Sequence, residues 1–383
     1  MRRKKRKFVA KNKRYTFIRL AILLGILLAV IAITVGIVLL VKNRSAFGSV
    51  AELPFTADDP YVYNSSGFHY IKDGNLCFHD PAHPDKDTSL ALNGENITLI
   101  ASDSITALYS GAALHIVGAA DMIDVGGEIL SASCGKNHAA VLRKDAAGQA
   151  AILVYDSTGL LTDTISEQQA MLLDCGFGSL AGSDMLYVLS MSDSGSVPVS
   201  TITTYTYGEN GAAMSGVITL HNELVEDVYF ASDSIFVAGT AHLQRYDKEF
   251  TAKAYSLLTY GDTLLDVSDA GDKPLFLYAD RAEQAALTEE NPVPSSVRLL
   301  RAAEAELSDA VDRTVALPEG AHSCFAIGGR FMVFTKDTVY TYSASGTLSD
   351  TTTLEIPCDE AVKLSDSCIL LRRGPEMRIL NLR

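Results

Sequence analysis

The chain has no tryptophan, no acidic residue before Glu52, no Cys-x-x-Cys pair and very few helix-like stretches. It also lacks a Gly-x-Ser-x-Gly elbow, a phosphate-binding glycine loop and a His-Glu-x-x-His pair. Without these motifs no catalytic, cofactor-binding or metal-binding residue can be assigned, and no cofactor is expected. The eight histidines (His69, His79, His83, His115, His138, His221, His242, His322) are scattered. His79 and His83 form the one close pair. A helix would place them on one face as metal ligands, but Pro81 lies between them in a loop-like context. Glu289-Glu290 and Asp359-Glu360 sit in polar segments and read as solvated faces.

The missing acids at the N-terminus leave a strongly basic segment. Ten Lys/Arg (Arg2, Arg3, Lys4, Lys5, Arg6, Lys7, Lys11, Lys13, Arg14, Arg19) precede the uncharged run Leu20 to Val41. As a helix, that run of 22 residues would be roughly 33 Å long, enough for a hydrocarbon core of about 30 Å. Only Lys42 and Arg44 follow at once, so positive-inside asymmetry predicts a cytoplasmic residue 1–19 tail, a signal-anchor helix over 20–41 and everything after it outside. Ser49-Val50-Ala51 has the small-x-small form of a signal-peptidase site. The apolar run is longer than a usual signal core, and Ser49 lies well beyond it, which favours an uncleaved anchor. The expectation is a single-pass plasma-membrane protein whose first partner is the lipid bilayer.

The net charge of −14 hides two opposite parts. Residues 1–44 hold 12 of the 32 Lys/Arg, leaving 20 against all 46 acids, a net of −26 for the remainder. A body this acidic is repelled by nucleic acid and by anionic headgroups, so no nucleic-acid partner is expected. Beside an apolar span, the basic tail reads as a topology signal rather than an RNA-binding arm. The six cysteines (Cys77, Cys134, Cys175, Cys324, Cys358, Cys368) all follow the apolar run. An even number outside the cell permits disulfides. Their wide, irregular spacing, in or beside apolar runs, reads instead as small buried side chains.

Residues 42–60 read as a tether. From residue 61 to 383 short apolar runs alternate with Gly, Ser and Asp, an all-β pattern. Gln168 to Leu173 and Val297 to Val311 are the best helix candidates, and both compete with a strand reading. One unit recurs: a small turn, often Ser-Asp-Ser, then a strand, a tight hairpin and a second strand. It is clearest at Ser102-Asp103-Ser104, Ser232-Asp233-Ser234 and Ser365-Asp366-Ser367. With Gly67, Asn137, Asp184, Asp272 and Gly329 as further markers, the steps run from 34 to 57 residues with a mean near 43. That period is the spacing of four-stranded propeller blades. Eight markers favour eight blades over seven. The longest step holds polar Asp280 to Pro294, which reads as an inserted hairpin loop. The Asp and Ser side chains are expected to accept hydrogen bonds from turn N–H groups. A ring of those aspartates around a cation is the alternative. A closed ring must join its ends, so the strand Met377 to Leu382 is expected to pair with N-terminal residues such as Leu53 to Tyr63.

Ala132-Ser133-Cys134-Gly135-Lys136-Asn137-His138-Ala139-Ala140-Val141-Leu142 resembles the repeat of regulator-of-chromosome-condensation propellers. The resemblance covers one blade and implies that Gly135 and His138 are structural, locking the blade to its neighbour. Zero tryptophan removes the Trp-Asp repeat signature and the Trp-ended Asp-box of sialidase-like propellers, and disfavours quinone-dependent dehydrogenases. Gly126-Gly127 and Gly328-Gly329 are too few for a kelch array. By its whole architecture the chain is similar to uncharacterised membrane-anchored β-propeller proteins of Gram-positive bacteria. Tyr205, Tyr207, Tyr340 and Tyr342 alternate along strands and read as blade packing. The leading functional expectation is a non-enzymatic interaction or scaffold module at the cell envelope, with an envelope protein or glycan as partner. The alternative is a ligand-sensing or degenerate enzyme propeller using the axial channel.

Overall fold

The computed structural model describes residues 47–92, 96–193, 197–208, 211–268, 273–289, 291–301 and 311–382. The expected cytoplasmic tail and anchor helix over 20–41 lie outside the described residues. Among those that are described, no helix is long and apolar enough to cross a membrane.

The described strands form eight antiparallel sheets of four. The chain is an eight-bladed β-propeller, which settles the choice between seven and eight blades. In order, blades 1 to 7 span residues 61–91, 98–124, 128–165, 171–221, 225–258, 262–316 and 321–353. In each, the first strand is innermost and packs beside first strands of adjacent blades, and the fourth is the outer edge. Blade 8 takes its three inner strands from Glu360–Ser365, Cys368–Arg373 and Glu376–Leu382, and its outer strand from Phe47–Thr56. The ring is therefore closed by joining the two ends of the fold. Leu53 belongs to this closing strand, as expected. Tyr61–Asn64 does not; it starts blade 1 as its inner strand. The segment expected as a tether thus carries a ten-residue strand, because Leu53 and Phe55 alternate inward against Phe68, Leu370 and Ile379.

Apart from Asp272, which lies outside the described residues, the turn markers fall at the hairpin between the first and second strands in blade after blade. Asp103, Asn137, Asp233 and Asp366 lie in those turns, and Gly67 and Asp184 sit at or just inside the second strand. Asp280 to Pro294 is the connection between the second and third strands of blade 6, an insertion that begins with the helix Arg281–Ala285, capped by the Asp280 side chain. Neither helix candidate is helical where it is described, and residues 302–310 of the second lie outside the described residues. Met171–Leu180 and Ser296–Arg301 are strands, because each completes a ladder and buries alternate apolar side chains, which outweighs local propensity. All six cysteines are free. Tyr205 and Tyr207 pack in the seam of blades 3 and 4, and Tyr342 stacks on Phe331 at 4.5 Å.

Polar locks join the blades at their inner edge. Between blades 1 and 2, Asn64 Nδ2 donates to Thr106 Oγ1 at 3.1 Å, leaving that hydroxyl free to donate to His69 Nδ1 at 3.2 Å. Burial lowers the His69 pKa to about 4. The unfolded chain protonates this imidazole below about pH 6.5 while the folded chain does not. Stability should therefore fall as pH drops from about 6.5 to 4, then level off. The contribution of this one group is on the order of 3 kcal/mol. Urea unfolding of His69→Gln across that range should give a flatter pH profile than wild type; parallel profiles would refute the assignment.

Candidate functional site

The ring has two faces. On the hairpin face lie the turns between first and second strands, near the axis, and those between third and outer strands, near the rim. On the opposite face lie the links from each outer strand to the next blade. A cleft of about 460 Å³ opens on the hairpin face across blades 2, 3 and 4. Its rim carries Asp103, Lys136 and Asp184, and Phe177 lies in its wall. Gly135 is needed here, since a Cβ on it would lie 2.6 Å from the Phe177 ring. Two smaller or equal spaces lie elsewhere. One of about 280 Å³ sits at the closing seam, beside Tyr63 and Asn381, and one of about 420 Å³ is lined by the blade 6 insertion.

Turn chemistry at the cleft differs from expectation in one respect. Ser102 Oγ accepts from the N–H groups of Ser104 at 3.3 Å and Ile105 at 3.0 Å, and donates to Gly135 O at 2.7 Å. Ser65 Oγ donates to Asp103 O at 2.7 Å. At the last repeat Ser365 Oγ accepts from Ser367 N at 3.2 Å. The serines close the turns and bind adjacent blades together. The aspartates do not share in it: the Asp103 and Asp233 side chains are exposed, and Asp233 accepts from the Ser234 hydroxyl rather than from a turn N–H. Among the described residues no three His, Cys, Asp or Glu side chains are grouped so that they could hold a metal ion.

The channel carboxylates come from elsewhere. Each inner strand of blades 3 to 7 has a β-bulge, and the residue after it is Ser131, Asp174, Asp227, Asp266 or Ser323. Ser131 Oγ donates to Asp174 Oδ1 at 3.3 Å. Asp266 meets Lys363 of blade 8, whose Nζ lies 2.7 and 2.8 Å from its two oxygens. Asp227 Oδ1 accepts from Val228 N at 2.7 Å, and no cation among the described residues is within hydrogen-bond range of it. It keeps accessible surface because it borders the channel, yet protein surrounds it, and burial together with Asp174 raises its pKa. These residues escaped the sequence reading. Their signal was an aspartate inside an otherwise apolar first strand, at Leu173-Asp174 and Leu265-Asp266.

The histidines do not converge. His79 Nδ1 contacts Asp87 at 2.8 Å, whereas His83 Nδ1 contacts Asp80 at 3.0 Å, so the close pair serves two different carboxylates in one loop. His138 stacks on Tyr207 of blade 4 with centroids 4.4 Å apart, a lock between neighbouring blades. Asp359 and Glu360 hold the Arg372–Gly374 turn. One contact has the composition of a nucleophile and base: Cys358 Sγ lies 3.7 Å from His322 Nε2, with Ser323 Oγ 3.0 Å from Nδ1. Burial pushes the Cys358 thiol up to about 12 and lowers the His322 pKa, so both groups are neutral near pH 7. The Cys134, Cys175 and Cys324 thiols are likewise pushed up to about 12 by burial. A thiol held this way is a poor nucleophile.

No protein-family model and no curated protein matches the chain. Among solved structures it is similar to the WD40 domain of SCAP from fission yeast, with a TM-score of 0.55, 11% identity, and coverage of 88% of this chain and 98% of that one. Kluyveromyces lactis Hsv2 aligns at a TM-score of 0.42 and 11% identity over 78% of this chain and all of that one, too weak to argue from. The first likeness shows a propeller fold and nothing about activity.

Proposed function

We propose that the chain is a membrane-anchored interaction module of the cell envelope. Residues 1–19 lie in the cytoplasm, 20–41 cross the plasma membrane, and the propeller stands outside as a scaffold for an envelope protein or glycan. The charge asymmetry around the apolar run supports the topology, and a net of −26 after residue 44 argues against nucleic acid. The likeness to membrane-anchored propellers of Gram-positive bacteria belongs to this reading. The observation that carries the interaction role is the hairpin-face cleft. A rigid ring holds Asp103, Lys136 and Asp184 around it, while the nearest nucleophile–base contact, Cys358 with His322, is held neutral.

The second reading, a ligand sensor or degenerate enzyme using the axial channel, has one observation in its favour. Asp174 and Asp227, on the inner strands of adjacent blades, lie close enough that Asp174 helps raise the Asp227 pKa. Asp266, the third carboxylate of that arc, is already neutralised by Lys363. Crosslinking in intact cells followed by mass spectrometry separates the two. The interaction role expects one envelope component captured reproducibly, and a C-terminal part that protease added outside intact cells can reach. Turnover of a small substrate by the purified protein, with no partner captured, would reverse the order of the readings.

A further inference from the structure

Blade 4 differs from every other blade at its outer edge. Its strands have 10, 11, 11 and 11 residues. Outer strands in blades 1 and 2 are only four and two residues long. Those of blades 3, 5, 6 and 7 carry a charge: Asp163, Lys253, Asp312 with Arg313, and Asp350. The closing strand of blade 8 carries Glu52 and Pro54. Short length, charge and proline are the devices by which sheets prevent another strand from pairing at an exposed edge. The blade 4 outer strand, Gly211–His221, has no Asp, Glu, Lys, Arg or Pro and is eleven residues long. No described strand pairs with its free side.

A bulge at Ser215, between the pairs Thr204–Gly216 and Tyr205–Met214, divides the edge. Gly216 to His221 remains as an unbroken six-residue stretch. Ile218 and Leu220 point into the blade 4–5 core. Val217, 44% exposed, points the other way, and Met214 is 66% exposed. The outer strand of blade 3 runs alongside and, with the turn before it, adds Leu161 and Leu160, 47% and 66% exposed. The edge is thus long, uncharged and flanked by open apolar side chains.

We propose that this edge pairs antiparallel with the same edge of a second copy, fusing two blade 4 sheets about a two-fold axis. Charge selects a second copy as the occupant. The body of the chain is strongly acidic, so most of its surfaces oppose like charge when two copies meet. Self-pairing of the outer strands of blades 3, 7 or 8 would bring Asp163, Asp350 or Glu52 close to its own duplicate. Gly211–His221 brings none, and an isologous contact needs only such self-complementarity. Backbone hydrogen bonds would supply the pairing, and Val217 and Met214 would lose their exposure to water.

The test uses the full chain in detergent micelles, read by sedimentation across micromolar concentrations. Wild type is expected to be dimeric. Val217→Lys with Thr219→Lys, both at exposed positions, should raise the dimer dissociation constant at least about tenfold through like charges set opposite each other. Thr351→Lys on the blade 7 outer strand should leave it unchanged. Melting by circular dichroism establishes that the variants fold, and Thr219→Lys alone serves if the pair does not. A photo-crosslinker placed at residue 219 should join two copies within residues 211–221. A monomeric wild type, a dimer that survives the lysines, or a crosslink that lands only on another protein overturns the proposal.

Discussion

Deleting residues 376–383 should leave a chain with no cooperative unfolding transition. The segment holds the third strand of blade 8, which pairs with Cys368–Arg373 on one side and with the N-terminal strand Phe47–Thr56 on the other. Its loss strips both partners and opens the ring. Met377, Ile379 and Leu380 are all at most 3% exposed, and each such side chain contributes about 1.5–3 kcal/mol by burial. Their removal alone is comparable to the about 5–15 kcal/mol that stabilises a typical domain. It also uncovers Leu53, Phe55 and Phe68 in the same cluster. Thermal melting followed by circular dichroism reads the result. A melting temperature within a few degrees of wild type would mean that blade 8 is dispensable and that the ring does not depend on closure.

That dependence was only half legible. Period and turn chemistry reveal blades, because each blade repeats the same local problem of reversing an apolar strand. The closing strand does not repeat anything. Phe47–Thr56 follows a basic and apolar segment, contains Gly48 and Pro54, and reads as a tether until its ladder with Glu376–Leu382 is seen. The likeness to a WD40 domain makes the same point from the other side. Absence of tryptophan removed the repeat signature, not the architecture, since blades are specified by strand alternation and turns. At the candidate site, Gly135, Lys136 and His138 were visible in one motif. The cleft was not, because Asp103 of blade 2 and Phe177 and Asp184 of blade 4 meet that blade 3 motif only through the ring. The Ser-Asp-Ser turns were located correctly and their division of labour was not. At Ser102 a serine oxygen reaches its own turn N–H groups with less bulk than a carboxylate, which leaves Asp103 exposed.

Lys363→Met should be the most damaging single substitution at the channel. Nζ of Lys363 touches both oxygens of Asp266 and also donates to Val267 O at 2.7 Å and Ala326 O at 3.0 Å. Asp266 Oδ2 in turn accepts from Ala326 N at 2.8 Å. One ammonium therefore ties the inner strands of blades 6, 7 and 8. An exposed pair of this kind would be worth at most about 1 kcal/mol. Here both side chains are only 23% exposed, and removing one member leaves a carboxylate and two carbonyls with a lost donor. Breaking fully buried pairs costs about 3–5 kcal/mol, so an intermediate loss of about 2–3 kcal/mol is expected. Asp266→Asn keeps an acceptor for Ala326 N and should cost less. The double variant should be more stable than the two single losses added together, because neither partner is then stranded. Urea unfolding of all four proteins closes the cycle. Additive losses, or a Lys363→Met cost below about 1 kcal/mol, would show that the three inner strands are held by packing alone and that the ammonium is a passenger in the channel.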